Sequence, residues 1–452
     1  AGTLISGILR VTQAEWRRPI TRIAEAITVV ALVVGTVQIL FDMGRPDRML
    51  YIFFYGRLQS PLLWDMVSVT AYFLGSVVYF YLPLIPDAAL LRDNLPANAP
   101  SWRRRLYRLL GLGWRGNRTQ WLRLERVIGV MAVIIIPIAV SVHTIISWIL
   151  ATTVQPGWHS TVFGPYFVVG AIFSGIGALF LAMTVIRWAF HLEAYITEKQ
   201  YQYVGYLMIA MCAIWFYFTY AEHLTLAAGQ QEAEFPVLAS KLWGMYATGF
   251  WVMVALMVAA FWVLVFPRLI PGGWERAPFF QPRVTATAAV LATALFVPVM
   301  RPQLLPVQSI SFDIVGVSAR AVLISIVVLF VIVTGVSALP WLKRRIVAAT
   351  VIASACVVVA MWLERWNIII PTLTHPRLVR WSGYAPSATE WTLTAASFAL
   401  FILLFLIFFK LVPPVSIWEV AEGRVIDEMR AETPGKLPPS STPPRRWRIG
   451  RR

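Results

Sequence analysis

A few ionisable side chains stand inside or at the ends of long apolar stretches, where a charge is costly and a functional role is the default expectation. His143 lies in VSVHT, Asp65 in LQSPLLWD, Glu222 and His223 in FYFTYAEHLT, and Glu364 and Arg365 in WLERWN. His159 sits in the stretch QPGWHSTVFGPY, which Tyr166 closes. Imidazole is the side chain whose ordinary pKa lets it take a proton near neutral pH. A positioned carboxylate or phenol can serve the same acid–base role. The chemistry these residues suit is therefore proton transfer at an apolar site.

Each residue also has a plainer explanation. His143 can be a hydrogen-bonded link between helices, Asp65 a cap at a helix start, and His159 a turn stabiliser. Glu364 and Arg365 can be a structural ion pair at an interface. Glu222 lies deeper in its apolar run and is harder to dismiss. Ser174, Gly175 and Gly177 read as close helix packing.

The elements that must position these groups are membrane helices. Of the 452 residues, 58% are hydrophobic and only 13% charged, about half the charged share of an ordinary soluble domain. Apolar runs long enough to cross a bilayer recur at 20–43, 61–86, 126–153, 161–189, 201–227, 241–267, 284–300, 320–341, 346–368 and 387–412. The expected fold class is an all-α integral membrane protein with about ten transmembrane helices. Residues 1–19 read as the end of a helix followed by a basic segment, with a further N-terminal segment expected before them. Residues 20–412 form the transmembrane domain, within which 87–125 is an amphipathic loop expected to hold a helix pair. Residues 413–452 read as a basic, Pro-rich tail, extended from Thr433 onward.

The net charge of +17 does not mark a nucleic-acid binder, because the basic residues cluster in short loops between apolar runs. They precede the first span (Arg17, Arg18, Arg22), follow the second (Arg103, Arg104, Arg105, Arg108), and recur after the fourth, sixth, eighth and tenth. With ten spans, all these clusters fall on one side, which the positive-inside rule assigns to the cytoplasm. The tail and the 87–125 loop are then cytoplasmic, and the candidate acid–base residues gather towards the opposite face. Cys212 and Cys356 are the only cysteines and have no CxxC spacing, so no cysteine-ligated cluster or zinc site is encoded. GxGxxG, Walker-type and HExxH motifs are also missing from the sequence. Any redox centre this chain serves belongs to a partner or to a diffusible carrier. Inverted repeats with interrupted helices meeting at mid-membrane would mark a secondary transporter; polar residues gathered at one face disfavour that alternative.

Seven stretches together resemble the NrfD/PsrC-like membrane subunits, and within that superfamily the large membrane subunits of alternative complex III. They are AGTLISGILRVTQAEWRRPITR, DMGRPDRM, LQSPLLWD, LPLIPDAALLRD, SVHTIISW, PGWHSTVFGPYFVVGAIFSG and MWLERWNIIIPTL. The resemblance runs from Ala1 to about Lys410, apart from roughly 283–343. It implies two four-helix bundles plus peripheral helices in a bacterial inner membrane, in a respiratory or photosynthetic electron-transport chain. It also implies menaquinol or ubiquinol bound near the outer face, with no haem, metal or iron–sulfur cluster held by this chain. Implied partners are c-type haem subunits, an iron–sulfur cluster protein, a second NrfD-like membrane protein and lipid. The family's SVHT histidine falls on His143, its SPLLWD aspartate on Asp65 and its outer-turn GWH on His159. His143, Asp65, His159 and Tyr166 are thus the expected quinol contacts. Glu222, His223, Glu364 and Arg365 are the expected proton path. One departure stands out: where many such subunits carry an aspartate soon after the SVHT histidine, this chain has Ile149. Either another carboxylate serves here, or the chain is the pseudo-symmetric second membrane subunit, which conducts protons or anchors without binding quinol.

Overall fold

Backbone N–H and C=O groups find no water in a bilayer core, so a chain this apolar must close its hydrogen bonds within helices. The structure, a computed structural model, describes residues 1–269, 345–377 and 380–432. Among the described residues there are fourteen α-helices and no strand. They are α1 Gly2–Val11, α2 Thr21–Asp42, α3 Tyr51–Tyr55, α4 Pro61–Tyr81, α5 Leu84–Asp93, α6 Ser101–Leu110 and α7 Arg118–Ala151. There follow α8 Phe163–Ala189, α9 Glu198–Gly229, α10 Phe235–Leu242, α11 Ala247–Leu269, α12 Ile346–Thr374, α13 Ala388–Leu411 and α14 Ile417–Glu432. Eight of them (α2, α4, α7, α8, α9, α11, α12, α13) are long and apolar enough to cross a membrane. The protein is a multi-pass, all-α membrane protein.

The eight correspond to expected spans, with shifts at several ends. The run 61–86 breaks after Tyr81, and α5 begins at Leu84. Helix α7 starts at Arg118, well before the apolar part of its sequence. The spans expected at 284–300 and 320–341 lie outside the described residues. Local signals account for several ends. Pro61 opens α4, where its missing N–H costs nothing. Gln200 Oε1 accepts from Thr197 N at 2.9 Å and Thr197 Oγ1 at 2.7 Å, closing the first turn of α9.

The chain divides into two units. The first comprises Ala1–Val142, Ile186–Ile196 and Ala388–Arg452 and contains α2, α4, α13 and most of α7. One end of it is held by buried ion pairs. Arg22 pairs with Asp87 at 2.6 Å, and Asp87 also accepts from the backbone of Ile417 at 3.0 Å and Trp418 at 3.1 Å. Glu419 pairs with Arg10, and with Arg17 at 3.5 Å. Burial pushes the Glu419 carboxyl up, but Arg17 and Arg10 outweigh it and hold the group at about 2.

The second unit comprises His143–Val185 and Thr197–Ser387 and contains α8, α9, α11 and α12, with α10 alongside. Helices α8 and α12 meet closely at Gly177, where an added Cβ would stand 3.2 Å from Val358 Cγ2 and 3.3 Å from Val357 Cγ1. That is the small-residue contact by which membrane helices approach, as the sequence suggests for this stretch.

Candidate functional site: an acid–base cluster in the second unit

Helix periodicity brings the second unit's polar residues together. On α9, Trp215, Thr219 and Glu222 follow at helical spacing, share one face and are all buried. On α12, Glu364, Asn367 and Ile368 do the same. Tyr166 lies one turn into α8, and Lys241 in the last turn of α10. The turn before α8 is fixed by two features. Gly157 takes φ +86°, a conformation side-chain-bearing residues avoid. Trp158 is buried, and its Nε1 donates to Ile368 O on α12 at 3.0 Å.

Within this frame Glu222 accepts a short hydrogen bond from Ser160 Oγ. Glu364 accepts from Trp215 Nε1 at 2.6 Å and lies 3.6 Å from Arg365 Nε. Arg365 donates to Phe167 O at 3.2 Å and stacks on the Phe167 ring at 3.9 Å. Thr219 Oγ1 donates to the Tyr166 hydroxyl at 3.2 Å, and His223 Nδ1 is 2.7 Å from Thr219 O. If that nitrogen carries the proton, His223 Nε2 is left as an acceptor.

Tyr166, Glu222, His223, Lys241, Glu364 and Asn367 line one cavity of about 20 Å³, which is room for about one water molecule. His223 Nε2, Glu364 Oε2 and Asn367 Oδ1 are buried and have no hydrogen-bond partner among the described residues. A water there would find the several polar partners that a buried water requires. Burial pushes the Lys241 ammonium down to about 8, against the pull of Glu222. The cluster therefore holds two carboxyls, an imidazole and an amine around a water-sized space, which suits proton exchange.

Of the expected site residues, Tyr166, Glu222, His223 and Glu364 converge here, and Arg365 braces Glu364. The other three are elsewhere. His143, near the end of α7, is half-buried, and its Nε2 is buried without a partner among the described residues. His159 is exposed, with Nε2 at 3.5 Å from Arg377. Asp65 belongs to the first unit; it sits a full turn past Ser60, the residue preceding α4, so it is not that helix's cap. Its Oδ1 is also buried and unpaired among the described residues. Sequence reasoning passed over Lys241, Ser160 and Asn367. A lysine within the otherwise apolar run LASKLWGMY was the signal available for the first. Both cysteines are free, and no group of metal-binding side chains occurs among the described residues.

Comparison with known proteins decides the class. The model of the polysulphide reductase NrfD family matches residues 1–273. The chain belongs to the NrfD family. A putative membrane subunit of dimethyl sulfoxide reductase from Halobacterium salinarum is 28% identical over 180 residues, 39% of this chain and 38% of that protein. The chain thus spans well under half the length of that curated relative. The NrfD family supplies membrane subunits of reductase complexes, commonly ones that interact with quinol. The family match carries His143, His159, Tyr166, Glu222, His223 and Lys241, whereas Glu364 and Arg365 lie beyond it on α12. The acid–base cluster thus joins a family-matched part of the chain to a helix outside that match.

Proposed function

We propose that this NrfD-family chain is the quinol-binding membrane subunit of a quinol:electron-acceptor oxidoreductase of the alternative complex III type. It sits in a bacterial inner membrane with its C-terminus cytoplasmic. Menaquinol, or ubiquinol in its place, is oxidised near the periplasmic face. Two electrons leave for an adjacent iron–sulfur protein and then for c-type haem subunits. The membrane part of the assembly is completed by a second NrfD-like chain. The two hydroxyl protons go to this chain's side chains.

The observation that carries this reading is His143. Its Nε2 is buried on a membrane-spanning helix and unpartnered among the described residues, so it is an acceptor in waiting for a quinol O–H. Asp65, with its own unpaired buried oxygen, is the second candidate acceptor. Quinol oxidation by the assembled complex tests it. His143→Ala should lower turnover by about 100-fold or more, the size of a lost general base, with the complex still assembled. A purely structural His143 contributes one interhelical hydrogen bond, worth about 0.6 kcal/mol, and its loss would leave turnover nearly unchanged. Near-normal quinol oxidation in both His143→Ala and Asp65→Asn would remove the quinol site from this chain.

The water-sized cavity favours a second reading, in which the chain is the pseudo-symmetric membrane subunit that conducts protons without binding quinol. Glu222 and Glu364 then carry the proton, with His223 relaying it through its unpaired Nε2 and Arg365 positioning Glu364. Under that reading Glu222→Gln, which keeps the size and the Ser160 contact, should uncouple proton movement from electron transfer while quinol oxidation continues.

A further inference from the structure

Away from the acid–base cluster, the first unit contains a cavity of about 310 Å³ that proton transfer does not use. Its walls come from two places: Leu192 and Tyr195, shortly after α8 ends at Ala189, and Pro413 to Arg424, directly after α13 ends at Leu411. Residues that immediately follow two membrane-spanning helices lie at the depth where hydrocarbon gives way to headgroups. The volume is that of a small-ligand pocket. Leu192, Val415, Ile417 and Val420 make most of the wall apolar.

Two polar groups face this apolar space. Ser416 is 1% exposed, and its Oγ is buried with no hydrogen-bond partner among the described residues. Arg424 is exposed and rests its guanidinium over the Tyr195 ring at 5.2 Å, with no ion pair among the described residues. Several other groups of the loop are already committed. Arg22 donates to Pro413 O at 3.1 Å and Val415 O at 3.3 Å. Asp87 takes the free N–H groups at the start of α14. Pro413 and Pro414 have no N–H to offer. The loop is thus held in shape by bonds that leave one hydroxyl and one guanidinium unspent beside an apolar slot.

We propose that this cavity binds the headgroup end of an anionic phospholipid. The Arg424 guanidinium pairs with the phosphodiester, the Ser416 hydroxyl donates to a phosphate or ester oxygen, and the first carbons of an acyl chain lie along Leu192 and Val420. Guanidinium geometry suits phosphate, and basic residues at a membrane surface attract anionic lipid. The pocket would also tie the α13–α14 junction to the bilayer.

Native mass spectrometry of the purified complex in mild detergent tests this, with phosphatidylglycerol and phosphatidylcholine as probes and inorganic phosphate as competitor. The expected result is one phosphatidylglycerol retained per chain in preference to phosphatidylcholine. Arg424→Gln should weaken that binding about fivefold, the effect of one basic residue near a membrane surface. Val420→Trp, which fills the slot, should abolish it. Equal retention of the two lipids, displacement by inorganic phosphate at equal concentration, displacement by menaquinone, or unchanged binding in Arg424→Gln would each overturn the proposal. Arg424 is exposed and outside the ion-pair cluster, so that variant folds and decides the matter if Val420→Trp does not.

Discussion

Lys241, on α10 and outside the membrane-spanning helices, is the amine of the acid–base cluster. An ammonium buried beside apolar walls loses solvation, and the Glu222 carboxylate restores only part of it, which brings the group to about 8 from its ordinary 10.5. Below about pH 8 Lys241 is charged and stabilises a carboxylate at Glu222; above it the amine is neutral and that support is gone. The same depression means that the unfolded chain holds this proton up to its ordinary pKa, so the cost of burying the charge is relieved as pH rises through the interval from 8 to 10.5. Proton release by the complex should therefore change with an inflection near pH 8. Lys241→Met, similar in length and without charge, should remove that inflection and leave any inflection at lower pH in place. A wild-type profile flat between pH 7 and 9, or an inflection that persists in Lys241→Met, would take Lys241 out of the proton chemistry. The sequence supports Glu222, His223, Tyr166 and Glu364 as candidates because an ionisable or phenolic group in an apolar run stands out by itself. It could not show that α9 and α12, about a third of the chain apart, turn Glu222 and Glu364 to one cavity. Nor could it separate these residues from His159, which occupies an equally suggestive turn and is exposed.

The spans were legible because hydropathy over some twenty residues is a local property. Helix α14 was not, since IWEVAEGRVIDEMRAE carries as much charge as apolar surface and follows two prolines. Its docking depends on partners some 400 positions away in the chain: Glu419 pairs with Arg10 and Arg17, and Thr21 Oγ1 donates to Glu419 at 3.2 Å. Trp418 adds a bond from Nε1 to Pro83 O at 3.0 Å. Part of what reads as a tail from 413 onward is thus an integral piece of the first unit. Because Glu419 is held near 2 in the fold against an ordinary 4.5, its contribution is full above pH 4.5 and is lost as pH falls towards 2. Glu419→Gln leaves Arg10 and Arg17 without their buried counter-charge. Breaking a buried pair from one side costs about 3–5 kcal/mol, so the thermal midpoint of the detergent-purified protein should fall by several degrees at pH 7. The gap between variant and wild type should narrow as pH drops from 4.5 to 2. Equal midpoints at pH 7 would mean that α14 is not held through this carboxylate.

At the scale of the whole molecule, each of the two units contains four of the eight described spans, the arrangement that the family resemblance implies. Neither unit's sequence carries a cysteine-rich cluster motif. Two cysteines in separate apolar runs cannot ligate a four-cysteine cluster, and the five histidines are scattered through both units and their loops. On the proposed reading, this chain's acid–base groups accept the protons of a quinol while the electrons leave through another protein. Oxidation of a quinol releases both together, so proton acceptance here should run only as fast as an attached partner removes electrons. The isolated chain should bind a quinol analogue in detergent or nanodiscs and show no quinol oxidation with a soluble acceptor. Adding back the iron–sulfur partner should restore turnover, and His143→Ala should blunt that restoration by the same factor as in the intact complex. Turnover by the single chain alone would mean that an electron-accepting group is bound here after all. Restoration by the partner that is indifferent to His143 would place the quinol on another protein of the assembly and leave this chain the proton-conducting role, with Glu222 and Glu364 as the groups on which coupling then depends.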